Sequence, residues 1–518
     1  MKQTDILIIG TGIAGSIAAI TAADNGNRVT VLTKTDDIVS GSTSIAQGGI
    51  IYKAPDDTPE KLAADIMTAG AGHCWEPAVM QLATLGPKLV EDLLLSRFNV
   101  DFDKTDNHLD LTAEGAHSLR RIIHCKDITG RHIIKAIHKT LVEHPNITIL
   151  TNHIAIDLLT LSHHSKNSVD IYKHPACFGA IVFDANSGAT FPIFAHKTIL
   201  ATGGLGQIFL HTTNPREATG DGIALASRAG VRCFNLEYIQ FHPTAFYNEH
   251  YQQTRFLISE SMRGEGGKLI DKNGNEFMQR FHHLGSLAPR DVVARSIQTV
   301  LQETSAPCVF LDITAKGEDW LQNRFPEIFT NCLQMGVNIS NEPIPVIPAA
   351  HYSCGGIGVN LNGRTSFQRL YAVGEISCTG VHGANRLAST SLLEALVWGY
   401  TAGNDVCISK EDDDYFPPIY DWVSETEDMD NILMVQDWSS IKNTMWNYVG
   451  LFRTNQRLQR AIKMLTELKI EIERFYKRTK LSREIIELRN GIETAIAVTN
   501  ATIASPVSRG AHYIINNE

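Results

Sequence analysis

Gly10-Thr11-Gly12-Ile13-Ala14-Gly15 stands between an apolar run at residues 4–9 and a helical pattern over Ala14–Asn25, and Arg28–Leu32 is β-rich again. Strand, glycine turn, helix and strand within about thirty residues predict a β-α-β unit, the opening of a doubly wound parallel sheet. In GxGxxG the first glycine permits the tight turn and the second lets backbone approach a pyrophosphate. The third lets helix and strand pack closely, while the helix N-terminus faces the phosphates. FAD and NAD both use this turn. A carboxylate for the ribose hydroxyls is expected at the end of the second strand, yet that strand ends Leu32-Thr33-Lys34.

The chain has 518 residues, too many for one ordinary core, so about three compact units are expected. With 43% hydrophobic and 20% charged residues it has the balance of a globular enzyme. A net charge of -10 argues against nucleic acid as the main partner, because phosphate binding usually needs a basic surface. The N-terminal apolar run is far short of the ~18 residues that span a bilayer and has no signal-peptide features, so a cytoplasmic protein is expected, with no membrane partner. The 9 cysteines are dispersed, with no CxxC, which points to free thiols in a reducing compartment. No Cys/His cluster has zinc or iron–sulfur spacing, and no protein-bound metal is expected.

Helical patterns follow around 60–70 and 77–97, then β-rich runs at Ile147–Leu150, Phe178–Phe183 and Ile193–Leu200. From 241 to 350 the composition shifts to mixed loops and helices, read as an inserted domain. Strand signal resumes at Gly355–Asn360 and Leu370–Gly374, and a helix begins near Ser391. Lys410–Asp414 reads as an acidic linker, and beyond 430 only helical periodicity remains. The expected division is therefore 1–240 and 351–415 as two parts of one α/β domain, 241–350 as an α+β cap, and 416–518 as a helical domain.

Three further features favour FAD over NAD. Ser42-Thr43-Ser44-Ile45-Ala46-Gln47-Gly48-Gly49 is a small hydroxyl-rich loop whose glycines suit close approach to a flat ring. Ala201-Thr202-Gly203-Gly204 follows a buried strand and Thr219-Gly220-Asp221-Gly222 opens a helix. Tyr371-Ala372-Val373-Gly374-Glu375 places Glu375 at a strand end, where it can face ribityl hydroxyls. Any one glycine cluster could be an ordinary turn; four in this order make that reading poor.

The order GxGxxG, STSIAQGG, ATGG, TGDG, FHPT, PRDVVAR, AVGE and HGANRLAS resembles the succinate dehydrogenase/fumarate reductase flavoprotein family, over residues 5 to 400. The resemblance implies a Rossmann-like FAD-binding domain interrupted by an α+β capping domain and followed by a C-terminal helical domain. It places FAD against residues 10–15, Lys34, residues 42–49, Asp221, Glu375, Ser391 and Leu392. Respiratory members carry a flavin-linking His six residues before the loop's first Gly. Ser42 stands there, so noncovalent FAD is expected.

Taking hydrogen from a dicarboxylate requires clamps for two carboxylates, a group for the proton, and a hydride acceptor. By the resemblance, His242, His351 and Arg386 bind carboxylates, and Arg290 donates or accepts the proton through neighbours such as Glu260 and Arg263. Without the motif, Arg290 would read as a helix-start ion pair with Asp291. Within the family the chain is most similar to the branch that oxidises L-aspartate, in which a loop carboxylate meets the substrate ammonium. Glu114, in Ala113-Glu114-Gly115-Ala116-His117-Ser118, matches it and would disfavour succinate. Its alternative reading is a solvated loop residue. His282 and His283 read as satisfied core residues, and Arg474, Lys477, Arg478, Lys480 and Arg483 as a solvated helix face.

The implied activity is oxidation of L-aspartate to iminoaspartate, with dioxygen or fumarate reoxidising the flavin, as the first step of NAD biosynthesis. Quinolinate synthase, which consumes the imine, is the implied neighbour. A soluble fumarate reductase or succinate dehydrogenase-type flavoprotein is the alternative, and Glu114 counts against it. A noncatalytic FAD-binding module would not need His242, Arg290, His351 and Arg386 together.

Overall fold

The computed structural model describes residues 2–249, 254–407, 416–420, 422, 427–428 and 430–515. The acidic linker read at Lys410–Asp414 lies outside them. The strand Lys2–Ile9 carries Ile6, Leu7 and Ile8, which have no exposed surface, because both faces of the sheet are covered. It pairs in parallel with Val29–Leu32 on one side and Thr190–Leu200 on the other. Ile147–Leu150 extends the sheet beyond Val29–Leu32, and Cys177–Asp184 and His153–Thr160 extend the far side antiparallel. Leu370–Ala372 returns after the insertion and adds in parallel to the end of Thr190–Leu200. The helices Ile13–Asp24 and Thr390–Asp405 pack together over this sheet, so chain from both sides of the insertion builds one unit.

The predicted helix over 77–97 divides. Glu76–Leu89 is α-helical and Val90–Arg97 continues as a wider π-helical stretch. Pro87 lacks the amide an α-helical ladder needs and explains the change of register. The strand expected over 355–360 is confined to Gly356–Gly358.

The cap is a four-stranded antiparallel sheet in the order Ile239–Phe246, Ile344–Ser353, Val309–Asp312 and Lys268–Ile270. A separate core, drawn from residues 246–347, lies between that sheet and its helices. The long strands enter and leave the cap side by side, with Phe241 opposite Ala350 and His242 opposite Ala349. Two histidines more than a hundred residues apart thereby arrive together. His282 and His283 are not core residues: they stack on each other with centroids 4.3 Å apart in a loop that leaves His283 exposed.

The C-terminal helices Asn431–Val449, Asn455–Tyr476 and Arg483–Ala504 begin at Asp430, Thr454 and Ser482, whose side chains cap free amides of the first turn. They share a core with the large sheet, Ile485 and Ile492 lying in the same cluster as Leu7 and Phe178. Within the basic run Arg474 and Arg478 are solvated, whereas Arg483 turns inward to the Lys34 carbonyl at 3.3 Å. No helix among the described residues is long and apolar enough to cross a membrane. All nine cysteines are free thiols.

Candidate active site

A cavity of about 670 Å³ runs from the end of the second strand, across the glycine turn, into the cleft between sheet domain and cap. Gly10 adopts φ +119°, and a Cβ there would lie 2.1 Å from the Ala201 carbonyl oxygen. Gly12 opens the helix with no side-chain cap, leaving first-turn amides facing the cavity; the Ile13 amide reaches only Thr43 Oγ1, at 3.3 Å. Thr11 and Ala14 line the cavity too, but Gly15 does not. Gly15 packs beneath the turn, where a Cβ would meet the Gly10 carbonyl at 2.1 Å, the close packing expected of the third glycine.

Lys34 lines the cavity and bridges two carboxylates, Asp221 at 2.7 Å and Glu487 at 2.8 Å. Burial works against its charge, but these two partners override burial and raise its pKa. Asp221, from a helix far along the chain, also lines the cavity, whereas Glu487 stands behind Lys34. All eight residues Ser42, Thr43, Ser44, Ile45, Ala46, Gln47, Gly48 and Gly49 line the cavity, as do Ser391 and Leu392. Gly49 has room for no side chain, with Ile122 and Ile123 2.2–2.3 Å from an added Cβ.

Glu375 accepts from the Ser353 amide at 3.1 Å, and burial pushes its carboxyl up to about 7. Gln47 Oε1 and Thr202 Oγ1 are buried without a hydrogen-bond partner among the described residues. Such groups cost stability unless a ligand satisfies them. A long cavity with anion-binding amides at the centre, orphaned polar atoms beside them and a carboxyl facing inward fits FAD.

The far end of the cavity holds Glu114, His242, Glu260, Arg290, His351 and Arg386 together. The His242 and His351 rings meet edge to face at 5.1 Å, and Thr213 holds His351 Nδ1 at 2.8 Å. Both imidazoles are pushed well below their ordinary pKa by burial, helped by Arg290 beside His242 and Arg386 beside His351. They are therefore neutral in the absence of an anion. Arg386 lies over the Tyr352 ring at 4.4 Å and donates to Ser391 at 3.0 Å, while its Nε is buried without a partner.

Arg290 is the first helical residue after Pro289, and its Nε forms a short ion pair with Glu260 Oε2. Its expected alternative partner, Asp291, instead pairs with Arg295 at 2.7 Å. Burial alone would raise the Glu260 pKa, but Arg290 and Arg263 hold it below the ordinary carboxylate value. Arg263 contributes at 3.7 Å from behind Glu260.

Glu114 is 7% exposed and not a solvated loop residue. Ser389 donates to its Oε2 at 2.7 Å, and Ser261 reaches Oε1 at 3.5 Å. Gln240 was not singled out from sequence, yet it accepts from Arg290 and donates to both Asn385 and the Arg386 carbonyl. It stands next to the Phe241-His242-Pro243-Thr244 run, and Ser389 lies within the HGANRLAS run. Both were within reach of the motifs that flag their neighbours. Such a cleft can clamp two carboxylates, pair with an ammonium and move a proton.

Comparison with known proteins agrees with this architecture. Residues 5–392 match the family described as FAD binding domain, and residues 438–515 match the fumarate reductase flavoprotein C-terminal family. An L-aspartate oxidase of Ralstonia nicotianae is 41% identical, covering 98% of this chain and 94% of its own. One from Pseudomonas aeruginosa is 40% identical over 99% and 95%. A chloroplastic L-aspartate oxidase of Nicotiana tabacum is 38% identical over 99% and 81%. Among solved structures, an E. coli quinol fumarate reductase superimposes with a TM-score of 0.87 at 27% identity, covering 100% of this chain and 92% of that one.

Proposed function

Because the chain belongs to the FAD-binding flavoprotein family of the fumarate reductases, and within it to the L-aspartate oxidases, we propose that it oxidises L-aspartate to iminoaspartate, the opening step of NAD biosynthesis from aspartate. The observation that carries this reading is Glu114, a buried carboxylate set into a pocket otherwise built for carboxylate ligands. An ammonium offsets its charge; succinate has nothing to offer it. Bound FAD supplies the hydride acceptor.

In this reading Arg386 and His351 hold one substrate carboxylate, with the orphaned Arg386 Nε available for a forked contact. His242 holds the other, and Glu114 fixes the ammonium. A proton and a hydride both leave aspartate. Arg290 first gives its Nε proton to Glu260 Oε2 and, as a neutral guanidine, then takes the proton from aspartate, an order supported by the short Arg290–Glu260 pair. Arg290 thus acts as a base only once Glu260 holds its proton, and taking the substrate proton returns it to guanidinium, which answers the objection that a free guanidinium is a poor base.

Dioxygen or fumarate would then reoxidise the flavin, with peroxide or succinate as product, and quinolinate synthase would take the imine. The nine free cysteines suit a reducing cytoplasm. The boundaries 1–240, 241–350, 351–415 and 416–518 belong to this proposal; the two long cap strands begin and end within a few residues of 241 and 350.

Anaerobic mixing of the FAD-loaded protein with L-aspartate or succinate tests the reading. Bleaching by aspartate and not by succinate is expected. Bleaching by succinate alone would replace it with a succinate dehydrogenase or soluble fumarate reductase.

A further inference from the structure

The last described residues pack against the two segments that carry Arg386 and Arg290. The Ala511 amide donates to the Ala384 carbonyl at 2.9 Å, two residues before the carboxylate-binding Arg386. From the cap, Arg295 Nη1 donates to the Gly510 carbonyl at 3.0 Å and Arg295 Nη2 to Asp291 at 2.7 Å, next to Arg290. Asp291 closes the circuit by accepting from Asn385 at 3.4 Å. Gly510 has φ +51°, and a Cβ on it would lie 2.5 Å from the Ala384 oxygen, so the approach requires glycine.

The tail is itself anchored. Arg453, fully buried, exchanges backbone hydrogen bonds with Tyr513 and Ile515, and its Nη1 reaches both His512 and the Glu237 carbonyl ahead of the strand bearing Gln240 and His242. Tyr513 also lies under the Arg295 guanidinium at 5.1 Å.

We propose that Arg295 and Gly510 are positioning residues: through them the C-terminal strap 509–513 fixes the distance between Arg386, on the sheet domain, and Arg290, on the cap. Neither touches the cavity. Their effect is to make the two cationic groups a preformed pair, so that substrate binding spends less free energy on ordering the cleft. The consequence for substrate rests on the dicarboxylate reading above; the coupling of strap to cleft does not.

The test uses the FAD-loaded full chain, its Arg295→Gln and Arg295→Lys variants, and a chain ending at Ser508. Amide hydrogen exchange is followed at 382–391 and 290–295, with residues 10–20 as reference, and succinate affinity is read from the flavin spectrum. Faster exchange at both cleft segments is expected for Arg295→Gln and the shortened chain. The reference should be unchanged, flavin retained, succinate binding about tenfold weaker, and Arg295→Lys partly restored. Unchanged cleft exchange in Arg295→Gln overturns the proposal, as does equal loosening of residues 10–20, which would mark a general structural role. If the shortened chain does not fold, Arg295→Gln decides. If the wild type binds neither succinate nor aspartate, the functional reading falls while the exchange measurement still judges the strap.

Discussion

The Ser389 hydroxyl donates to Glu114 Oε2 at 2.7 Å, joining residues 275 positions apart. That bond orients one carboxylate oxygen and leaves the other, Oε1, beside Gly48, where an added Cβ would lie 3.0 Å away. Glu114 is thus held at the flavin loop and aimed by a partner on the opposite wall. In Glu114→Gln the charge is lost and the shape kept. Since hydrogen bonds to charged groups contribute about 1.5–3 kcal/mol, kcat/KM for aspartate should fall roughly 10- to 100-fold. Succinate should bind more tightly. An unchanged aspartate-to-succinate ratio would remove Glu114 from amine recognition.

In the proposed reading the paired Arg290 and Glu260 form the proton path. Arg290→Leu should slow anaerobic flavin reduction at saturating aspartate by about 10²–10⁴, the usual contribution of a positioned acid or base. Flavin content should stay normal. A rate within a factor of about two of wild type would assign the proton to another group, because no positioned acid or base contributes so little.

Lys34 neutralises Asp221 and Glu487 in a site where its own side chain is 14% exposed. Lys34→Met leaves Asp221 without its cation, while Glu487 keeps Arg483 at 3.0 Å, and should cost about 3 kcal/mol with weakened FAD retention. Lys34→Met combined with Glu487→Met should recover part of that loss. Thermal unfolding and flavin release by ultrafiltration measure both effects; a fully additive double variant would show that the two residues do not interact.

His242 and His351 are held neutral well below their ordinary value of 6.5, by burial first and by neighbouring arginines second. As pH falls through about 6.5 the unfolded chain takes up protons at these positions and the folded chain does not, so stability falls with acid. The drop in thermal midpoint between about pH 8 and pH 5.5 should be smaller in His242→Gln/His351→Gln than in the wild type, since that interval brackets histidine's titration. An equal or larger drop in the double variant would mean the imidazoles already carry charge.

The nucleotide end of the site was legible because its chemistry is local. Gly10 and Gly12 act through backbone conformation at a strand–helix junction, and neighbouring sequence states that junction. Gly15 was legible as packing, because the spacing of the third glycine states a close helix–strand approach. The π-helical continuation at Val90–Arg97 was not legible, because apolar periodicity reads 77–97 as one helix. His282 and His283, half-buried and exposed respectively, were misread because a histidine carries no sequence mark of burial.

By itself the sequence determined the α/β sheet around the glycine turn, the all-helical C-terminus and the residue types gathered for a C4 dicarboxylate, since each follows from periodicity or a contiguous motif. Only the tertiary structure decided the partners: Lys34 with Glu487, Glu114 with Ser389, Arg295 with Gly510. Contacts between charges and donors far apart in the chain depend on how the sheet domain, cap and helices meet, and no local pattern encodes that distance.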